Sequence, residues 1–293
     1  MPMRMLQRRR RGNAPTSELE REAILRLVRR PLFELIPLRD ALERANALPA
    51  DAATTVTASP SHGIEATIEL CEGLRDRGHD VTPHLAAHMF RDRAHVGDLL
   101  DRCRSAGISS AFVVGGDAKA RGEIHDGLAL IRLMEDLGHP FTSIGVPGYP
   151  EGHPSIPDDV LTTSLRDKQA HATYVTTQMS FDPVAISAWI ARMRIEGVTL
   201  PVHLGVPGAA TMRKLTTVGA RIGVMSSVRY LRKHRRLLGH VVKRSFGPDA
   251  LLAALAPTLV DATTDVRAIH LFTFNQVEET VAWQRRMLAE LGS

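Results

Sequence analysis

The sequence is poor in cysteine and in aromatic residues, and it contains no long apolar run. Its two cysteines, Cys71 and Cys103, lie among apolar residues at helical spacing, which argues against a disulfide framework or a cysteine-ligated metal. No apolar run approaches the roughly 20 residues that span a bilayer, and no apolar signal segment follows the Arg-rich start. We therefore expect reduced core thiols in a cytoplasmic protein with no membrane partner.

The scarcity of aromatic residues, 4% of the chain, leaves few of the stacking platforms that single-strand nucleic-acid binders use. The formal charge of +5 is modest and partly local, because four consecutive arginines occupy positions 8–11 and a second basic cluster occupies 229–236. Such runs are more often a solvated tail and a solvated helix face. The composition therefore argues against a nucleic-acid partner, although the internal cluster could attract an anionic small molecule.

Several common catalytic signatures are missing as well. No G-x-G-x-x-G follows the first predicted strand, and neither a Walker loop, a G-x-S-x-G elbow nor a Cys/His signature is present. His84 and His88 are spaced four apart, but His84 falls at a strand end and no Glu follows it in the zincin pattern. The sequence therefore predicts no metal.

What the sequence does contain is a regular alternation of short apolar, β-rich runs with longer segments of helical period. This alternation is typical of βαβ units and a parallel sheet. The runs are 31–37, 53–58, 80–86, 109–115, 141–147, 172–178, 200–206 and 267–274. Eight strands predict a closed (β/α)8 TIM barrel, an α/β fold, with a doubly wound open sheet as the alternative.

The predicted barrel forms a single catalytic domain over residues 31–293. A flexible basic tail and an N-terminal helix precede it in residues 1–30. The long segment between the seventh and eighth strands must hold extra helices, including the basic one. Asp182 followed by Pro183 predicts a helix start, and Gly138 predicts a helix end.

The first predicted strand holds one carboxylate, Glu34, inside the apolar run Leu32–Pro37. An isolated buried carboxylate costs several kcal/mol unless it is paired or protonated, so Glu34 has either a structural partner or a chemical use. Further polar residues collect at the C-terminal ends of the predicted strands, where barrel enzymes place catalysis. They are Thr57, His84, Asp117, Tyr149, Glu151, His153, Gln178 and Asn275. Each alone has a structural explanation, but their coincidence at one end of the barrel favours a site.

At this point the sequence resembles the methylenetetrahydrofolate reductase family from about residue 31 to the end. The matching blocks are Phe33–Pro37, Val56–Thr57, Pro83–Leu85, Gly116–Asp117, Gly148–Pro154, Leu165–Lys168, Thr177–Asp182 and His270–Asn275. The Tyr-Pro-Glu-x-His-Pro and Thr-Gln-x-x-Phe-Asp blocks are specific, whereas Gly-Asp and Val-Thr are weak. The family's (β/α)8 barrel agrees with the strand count.

The resemblance implies reduction of 5,10-methylenetetrahydrofolate to 5-methyltetrahydrofolate, a step of one-carbon metabolism and methionine biosynthesis. Glu34 aligns with the general acid that opens the folate ring to a 5-iminium cation. Asp117 aligns with a carboxylate near the pterin and the developing charge, and Gln178 with the amide that binds the pterin. Thr57 resembles a residue that positions substrate or tunes Glu34. Tyr149 is counted with both the substrate and the cofactor residues.

The implied cofactors are NADH or NADPH as hydride donor, with NADH favoured, and the FAD that is typical of the family. His84, Tyr149, His153 and Lys168 are retained at flavin-facing positions. Other flavin positions differ, because the family's Arg, Asp and Asn are here Gly115, Leu161 and Ser164. Glycine cannot replace an arginine fork at a pyrophosphate or ribityl site. We therefore expect weak or absent flavin binding and direct hydride transfer from the nicotinamide.

Two other classes of function stay open on the sequence. One is a barrel oxidoreductase or methyltransferase acting on another pterin or a deazaflavin. The other is a non-catalytic paralogue that binds folate or, through the Arg-rich tail, nucleic acid. Basic residues near the barrel mouth are expected to hold the anionic folate tail, with Arg213, Lys214 and the 229–236 cluster as candidates.

Overall fold

The computed structural model describes residues 17–116, 124–211 and 245–292, and it contains a closed barrel of eight parallel strands. Around the barrel the strands follow the order β1-β8-β7-β6-β5-β4-β3-β2. Their bounds are Leu32–Leu35 (β1), Ala53–Val56 (β2), Asp80–Ala86 (β3), Ser110–Val114 (β4), Ser143–Gly148 (β5), Tyr174–Thr177 (β6), Val202–Pro207 (β7) and Val266–Phe272 (β8). The barrel closes where Leu32 pairs with His270 and Glu34 pairs with Phe272.

The described helices form the outer layer and begin where the sequence offers suitable caps. Asp92, Asp126 and Asp182 each accept a backbone hydrogen bond as N-caps, and Ser17 forms a capping box with Glu20. The bounds are Glu18–Arg29 (α1), Ala41–Arg44 (α2), Gly63–Arg75 (α3), Arg93–Ser105 (α4), Gly127–Asp136 (α5), Asp158–Lys168 (α6), Pro183–Ile195 (α7), Asp249–Val260 (α8) and Val277–Gly292 (α9). The apolar core lies largely between these helices and the barrel.

The barrel interior is unusually polar, because alternate residues of each strand point inward. The ring of His84 lies 4.7 Å from that of Phe112 and 5.9 Å from that of His270, so strands β3, β4 and β8 all contribute to the interior. Farther round the barrel, Tyr174 stacks on His203 at 4.1 Å. Three histidines therefore share the interior with Glu34.

Two glycines allow close approaches within the barrel, one to a side chain and one to a backbone carbonyl. A Cβ on Gly145 would lie 2.3 Å from the ring of Tyr174, so glycine is what allows this ring to cross the barrel. A Cβ on Gly205 would lie 2.0 Å from the carbonyl oxygen of Thr177, where strands β6 and β7 approach closely. Any larger side chain at either position would displace its neighbours.

The structure confirms the predicted (β/α)8 barrel and the N-terminal helix. Asp182 does cap α7 with Pro183 in its first turn, and Gly138, in the left-handed region, follows the end of α5. Both cysteines are buried and free. Between β7 and β8 the described residues include α8 and a two-strand pair, Ala210–Thr211 with Ser245–Phe246. The basic cluster at 229–236, Arg213 and Lys214 lie outside the described residues. None of the helices in the described ranges is long and apolar enough to cross a membrane.

Candidate active site

Glu34 lies near the C-terminal end of β1 and is only 6% exposed. Its Oε2 atom is 2.8 Å from Nε2 of His270, which is itself 2% exposed. Either the imidazole N–H donates to the carboxylate or the carboxyl O–H donates to the imidazole. In both cases this hydrogen bond satisfies one oxygen of the buried Glu34 side chain.

His84 is the third member of this cluster. Its ligand nitrogen, one nitrogen of His270 and a carboxylate oxygen of Glu34 all lie within 4.8 Å of one another. No atom of the described residues satisfies Nε2 of His84. Burial holds the pKa of His84 well below the ordinary value for histidine, and repulsion from His270 lowers it further. His84 is therefore a neutral imidazole with one unused ring nitrogen.

The loop after β8 holds Glu34 from outside the strand. Thr273 donates its hydroxyl to the backbone carbonyl of Glu34. Asn275 holds Ile36, which lies two residues after Glu34. Its Oδ1 accepts from the Ile36 N–H at 2.8 Å and its Nδ2 donates to the Ile36 carbonyl at 2.9 Å. Phe274 and Asn275 both adopt positive φ, a conformation that costs roughly 1–3 kcal/mol for residues other than glycine. Asn275 thus fixes the end of β1 rather than capping the last helix.

His203 and Tyr174 form a second pair in the interior, with Tyr174 buried and His203 partly buried. Burial lowers the pKa of His203 to about 4, with repulsion from His270 and Arg267 adding to the effect. Burial also raises the pKa of the Tyr174 hydroxyl. Both groups are therefore neutral at physiological pH, so the interior as a whole resists gaining charge.

We expect this interior to make the protein acid-sensitive. Above pH 6.5 neither the native nor the unfolded chain protonates His203, whereas between pH 6.5 and about 4 only the unfolded chain does. Stability should therefore fall as the pH drops through this window, by about 2 kcal/mol at about pH 5 from His203 alone. Urea unfolding at about pH 7.5 and pH 5 measures the loss, and His203→Gln should reduce it. An equal loss in that variant would contradict the assignment.

Four other predicted site residues lie in the segments after strand ends. They are Thr57, Tyr149, His153 and Gln178. Thr57 follows β2, and its backbone N–H donates to the Leu35 carbonyl beside Glu34. Gln178 follows β6, with its Oε1 accepting from the Met179 N–H at 2.8 Å. Tyr149 follows β5 and makes an edge contact with His153 at 5.3 Å between ring centroids. All four are partly buried at the end of the barrel where Glu34 lies.

Two predicted residues stand apart from this group. Asp117 lies outside the described residues, so its role stays a prediction. Lys168 ends α6 and is 8% exposed, and the described residues provide no salt bridge to it. Burial lowers the pKa of Lys168, although attraction to Asp126 and Asp167 opposes this. An ammonium buried in this way is suited to an anionic group.

The sequence interpretation gave no role to His270, although it quoted that residue within a matching block. A signal was available, because His270 and Phe272 alternate with Ile269 and Leu271 along β8, and this pattern points the imidazole into the barrel. What the pattern could not supply was the neighbour across the closure, Glu34, 236 positions away. Thr273, which holds the Glu34 backbone, was overlooked in the same way.

Two positions where the resemblance implies flavin contacts, 115 and 161, carry no polar side chain in this chain. Gly115, which stands where the family has arginine, offers no side chain, and a Cβ there would meet no described atom within 4 Å. Leu161, where the resemblance implies an aspartate, has an apolar side chain that offers no hydrogen bond. Lys168 remains as a buried anion partner among the described residues.

The family model and two curated relatives name one family. The sequence model described as methylenetetrahydrofolate reductase matches residues 37–283, beginning just after Glu34. A probable methylenetetrahydrofolate reductase (NADPH) of Caenorhabditis elegans is 28% identical over 138 residues, 44% of this chain and 20% of that protein. Methylenetetrahydrofolate reductase 1 of Schizosaccharomyces pombe (strain 972 / ATCC 24843) is 27% identical over 118 residues, 36% of this chain and 19% of that protein. The matches thus span about a fifth of the length of these curated relatives.

Among solved structures, a dihydropteroate synthase from Thermus thermophilus in complex with 6HMPPP superposes with a TM-score of 0.45. It is 16% identical, and the superposition covers 89% of this chain and 94% of that chain.

Proposed function

Because the chain belongs to the methylenetetrahydrofolate reductase family, we propose that it reduces 5,10-methylenetetrahydrofolate to 5-methyltetrahydrofolate with a reduced nicotinamide as hydride donor. One observation carries this proposal: a buried carboxyl group, Glu34, is hydrogen-bonded to His270 at the end of the barrel where barrel enzymes work. The reaction needs such a group.

The chemistry begins with a proton. The five-membered ring of the folate opens when the bond between its methylene carbon and one ring nitrogen breaks as a proton reaches that nitrogen. The product is an iminium cation, and its carbon then accepts a hydride to become the methyl group. Glu34, in its protonated carboxyl form, is the proposed proton donor, since it is buried and held by His270, and a positioned acid typically contributes about 10²–10⁴-fold to the rate. After donation the carboxylate stabilises the cation.

The neighbouring residues divide the remaining work. His270 is a positioning residue, because its ring holds one carboxyl oxygen of Glu34 and leaves the other for the substrate. Gln178 offers a planar amide to the pterin edge, and Thr57 stands beside the end of β1. Asp117 is proposed to lie near the developing charge, on the resemblance alone.

The hydride is proposed to pass directly from NADH or NADPH to the iminium carbon, without flavin. The support is the donor set, in which Gly115, Leu161 and Ser164 replace polar flavin partners. NADH is the favoured donor. Direct transfer requires the nicotinamide and the folate to be bound at the same time, whereas a flavin would let them bind in turn.

An anaerobic assay of NADH oxidation with methylenetetrahydrofolate tests the reaction, the donor and the flavin together. We expect turnover that added FAD does not change, and initial-rate plots against the two substrates that intersect. A parallel series with NADPH decides the donor. Purified protein that carries stoichiometric flavin bleached by NADH, or parallel rate plots, would contradict direct transfer. Turnover of another pterin or a deazaflavin in place of methylenetetrahydrofolate would instead favour a different barrel oxidoreductase.

A further inference from the structure

We propose that Glu34, His84 and His270 form a binding site for a transition-metal ion of the zinc class, and that a bound ion stops the reaction proposed above. The binding part is independent of that reaction, whereas the inhibitory part rests on the proposed function. On the sequence His84 was considered as a metal ligand only with His88, and neither Glu34 nor His270 was considered as one.

The geometry assembles the donors from three strands. Glu34 comes from β1, His84 from β3 and His270 from β8, and their ligand atoms lie within 4.8 Å of one another. All three residues are less than 9% exposed. By contrast, the Nε2 atom of His88 contacts the carbonyl of His125 at 2.7 Å, so the i, i+4 pair of the sequence is not a chelating pair.

One donor has no other use among the described residues. Nε2 of His84 is buried and has no hydrogen-bond partner in the described ranges, although a buried polar atom ordinarily has one. The other two donors are paired with each other across 2.8 Å. An ion that displaces the proton of this hydrogen bond would bind Glu34 and His270. It would satisfy the His84 nitrogen as well.

The donor set indicates which ions fit. Two imidazoles and one carboxylate suit Zn²⁺, Fe²⁺ or Co²⁺, and they suit Mg²⁺ and Ca²⁺ poorly, since these ions prefer oxygen ligands. Zinc sites with two histidines and one glutamate keep a further position for water. At separations of up to 4.8 Å the side chains must close slightly to reach metal–ligand distances of about 2.1 Å.

Inhibition follows from proton balance. The proposed reaction needs Glu34 to hold a proton and transfer it to the folate nitrogen. A bound Zn²⁺ takes the carboxylate oxygen and the His270 nitrogen, and the carboxyl proton of the acid form of Glu34 leaves to solvent. Nothing is oxidised or reduced, and the ring-opening step loses its acid.

Calorimetric titration of the full chain with Zn²⁺, after removal of metals with a chelator, tests the binding. We expect one equivalent in the wild type and a loss of affinity of more than about 100-fold in His84→Ala. The matched control is His171→Ala, because His171 forms an exposed pair with Glu135 at 2.7 Å and lacks a third donor. Wild-type affinity in His84→Ala, or loss of binding in His171→Ala, would overturn the site.

Titration with Co²⁺ guards against a variant that misfolds. In the wild type, two imidazoles and a carboxylate should bind Co²⁺ and give it the strong visible absorption of a low coordination number. In both Glu34→Gln and His84→Gln, Co²⁺ should show the weak absorption of the hydrated ion. Weak absorption in the wild type would overturn the proposal. Where Zn²⁺ binds but the wild type lacks reductase activity, the proposed function fails and the metal site stands. Where activity is present and saturating Zn²⁺ leaves it unchanged, the inhibitory part is wrong.

Discussion

Replacing Glu34 by glutamine is expected to lower kcat for methylenetetrahydrofolate reduction by about 10³-fold, because an amide cannot deliver the proton that opens the ring. The side chain keeps its size, and its amide can still hydrogen-bond His270, so folding and folate binding should persist. Stopped-flow or steady-state NADH oxidation measures the rate, and fluorescence or calorimetry measures folate affinity in the same preparation. The loss should therefore appear in kcat while the folate dissociation constant changes little.

A matched control is available elsewhere in the chain. Glu65 also pairs with a buried histidine, His95, at 3.1 Å, but on the helical outer layer. Glu65→Gln removes a carboxylate from a Glu–His pair outside the barrel interior and should leave kcat unchanged. If Glu34→Gln retained most of its activity, or if both variants lost activity equally, Glu34 would be a structural residue and the reaction would need another acid.

Replacing His270 by leucine is expected to have the second-largest effect on activity, a fall in kcat of about 10²-fold. Without the imidazole, Glu34 loses the partner that fixes its carboxyl, and a misplaced acid of this kind typically costs this much. Leaving a buried polar group unpaired should also lower the free energy of unfolding by about 1–3 kcal/mol. Kinetic assays and urea unfolding of the same samples separate the two effects.

Rescue distinguishes positioning from packing. His270→Gln restores an N–H donor at the same place, so it should recover much of the lost kcat with little change in the Michaelis constant for folate. His171→Leu removes the histidine of the exposed Glu135 pair and should leave kcat unaltered. An equal defect in His270→Gln and His270→Leu would indicate that the ring acts by filling space alone.

The barrel, and the end of it at which the candidate polar residues collect, could be predicted from sequence because both depend on local periodicity. The eight apolar runs each fell on a strand, with boundaries within three residues. Glu34 stood out for the same reason, since one charge inside an apolar run is visible without knowledge of its neighbours. Asp182 and Gly138 were predictable because caps act over a few residues.

The contacts of Glu34 could not be predicted because they are non-local. Its partner His270 and the Asn275 clamp on Ile36 come from the other end of the chain, and periodicity carries no information about side-chain orientation across a barrel closure. His84 shows the same limit. Sequence spacing paired it with His88, whereas the barrel places it beside Phe112 and His270.

The closure between β1 and β8 also determines when the site comes into existence. During synthesis the first strand leaves the ribosome more than 200 residues before the last one, at about 5–20 residues per second. Until the last strand arrives, the carboxyl of Glu34 has no imidazole beside it and the edge of β1 has no hydrogen-bonded neighbour. An unfinished chain therefore exposes an unpaired strand edge and lacks the Glu34–His270 pair. The candidate site is assembled only when the barrel closes.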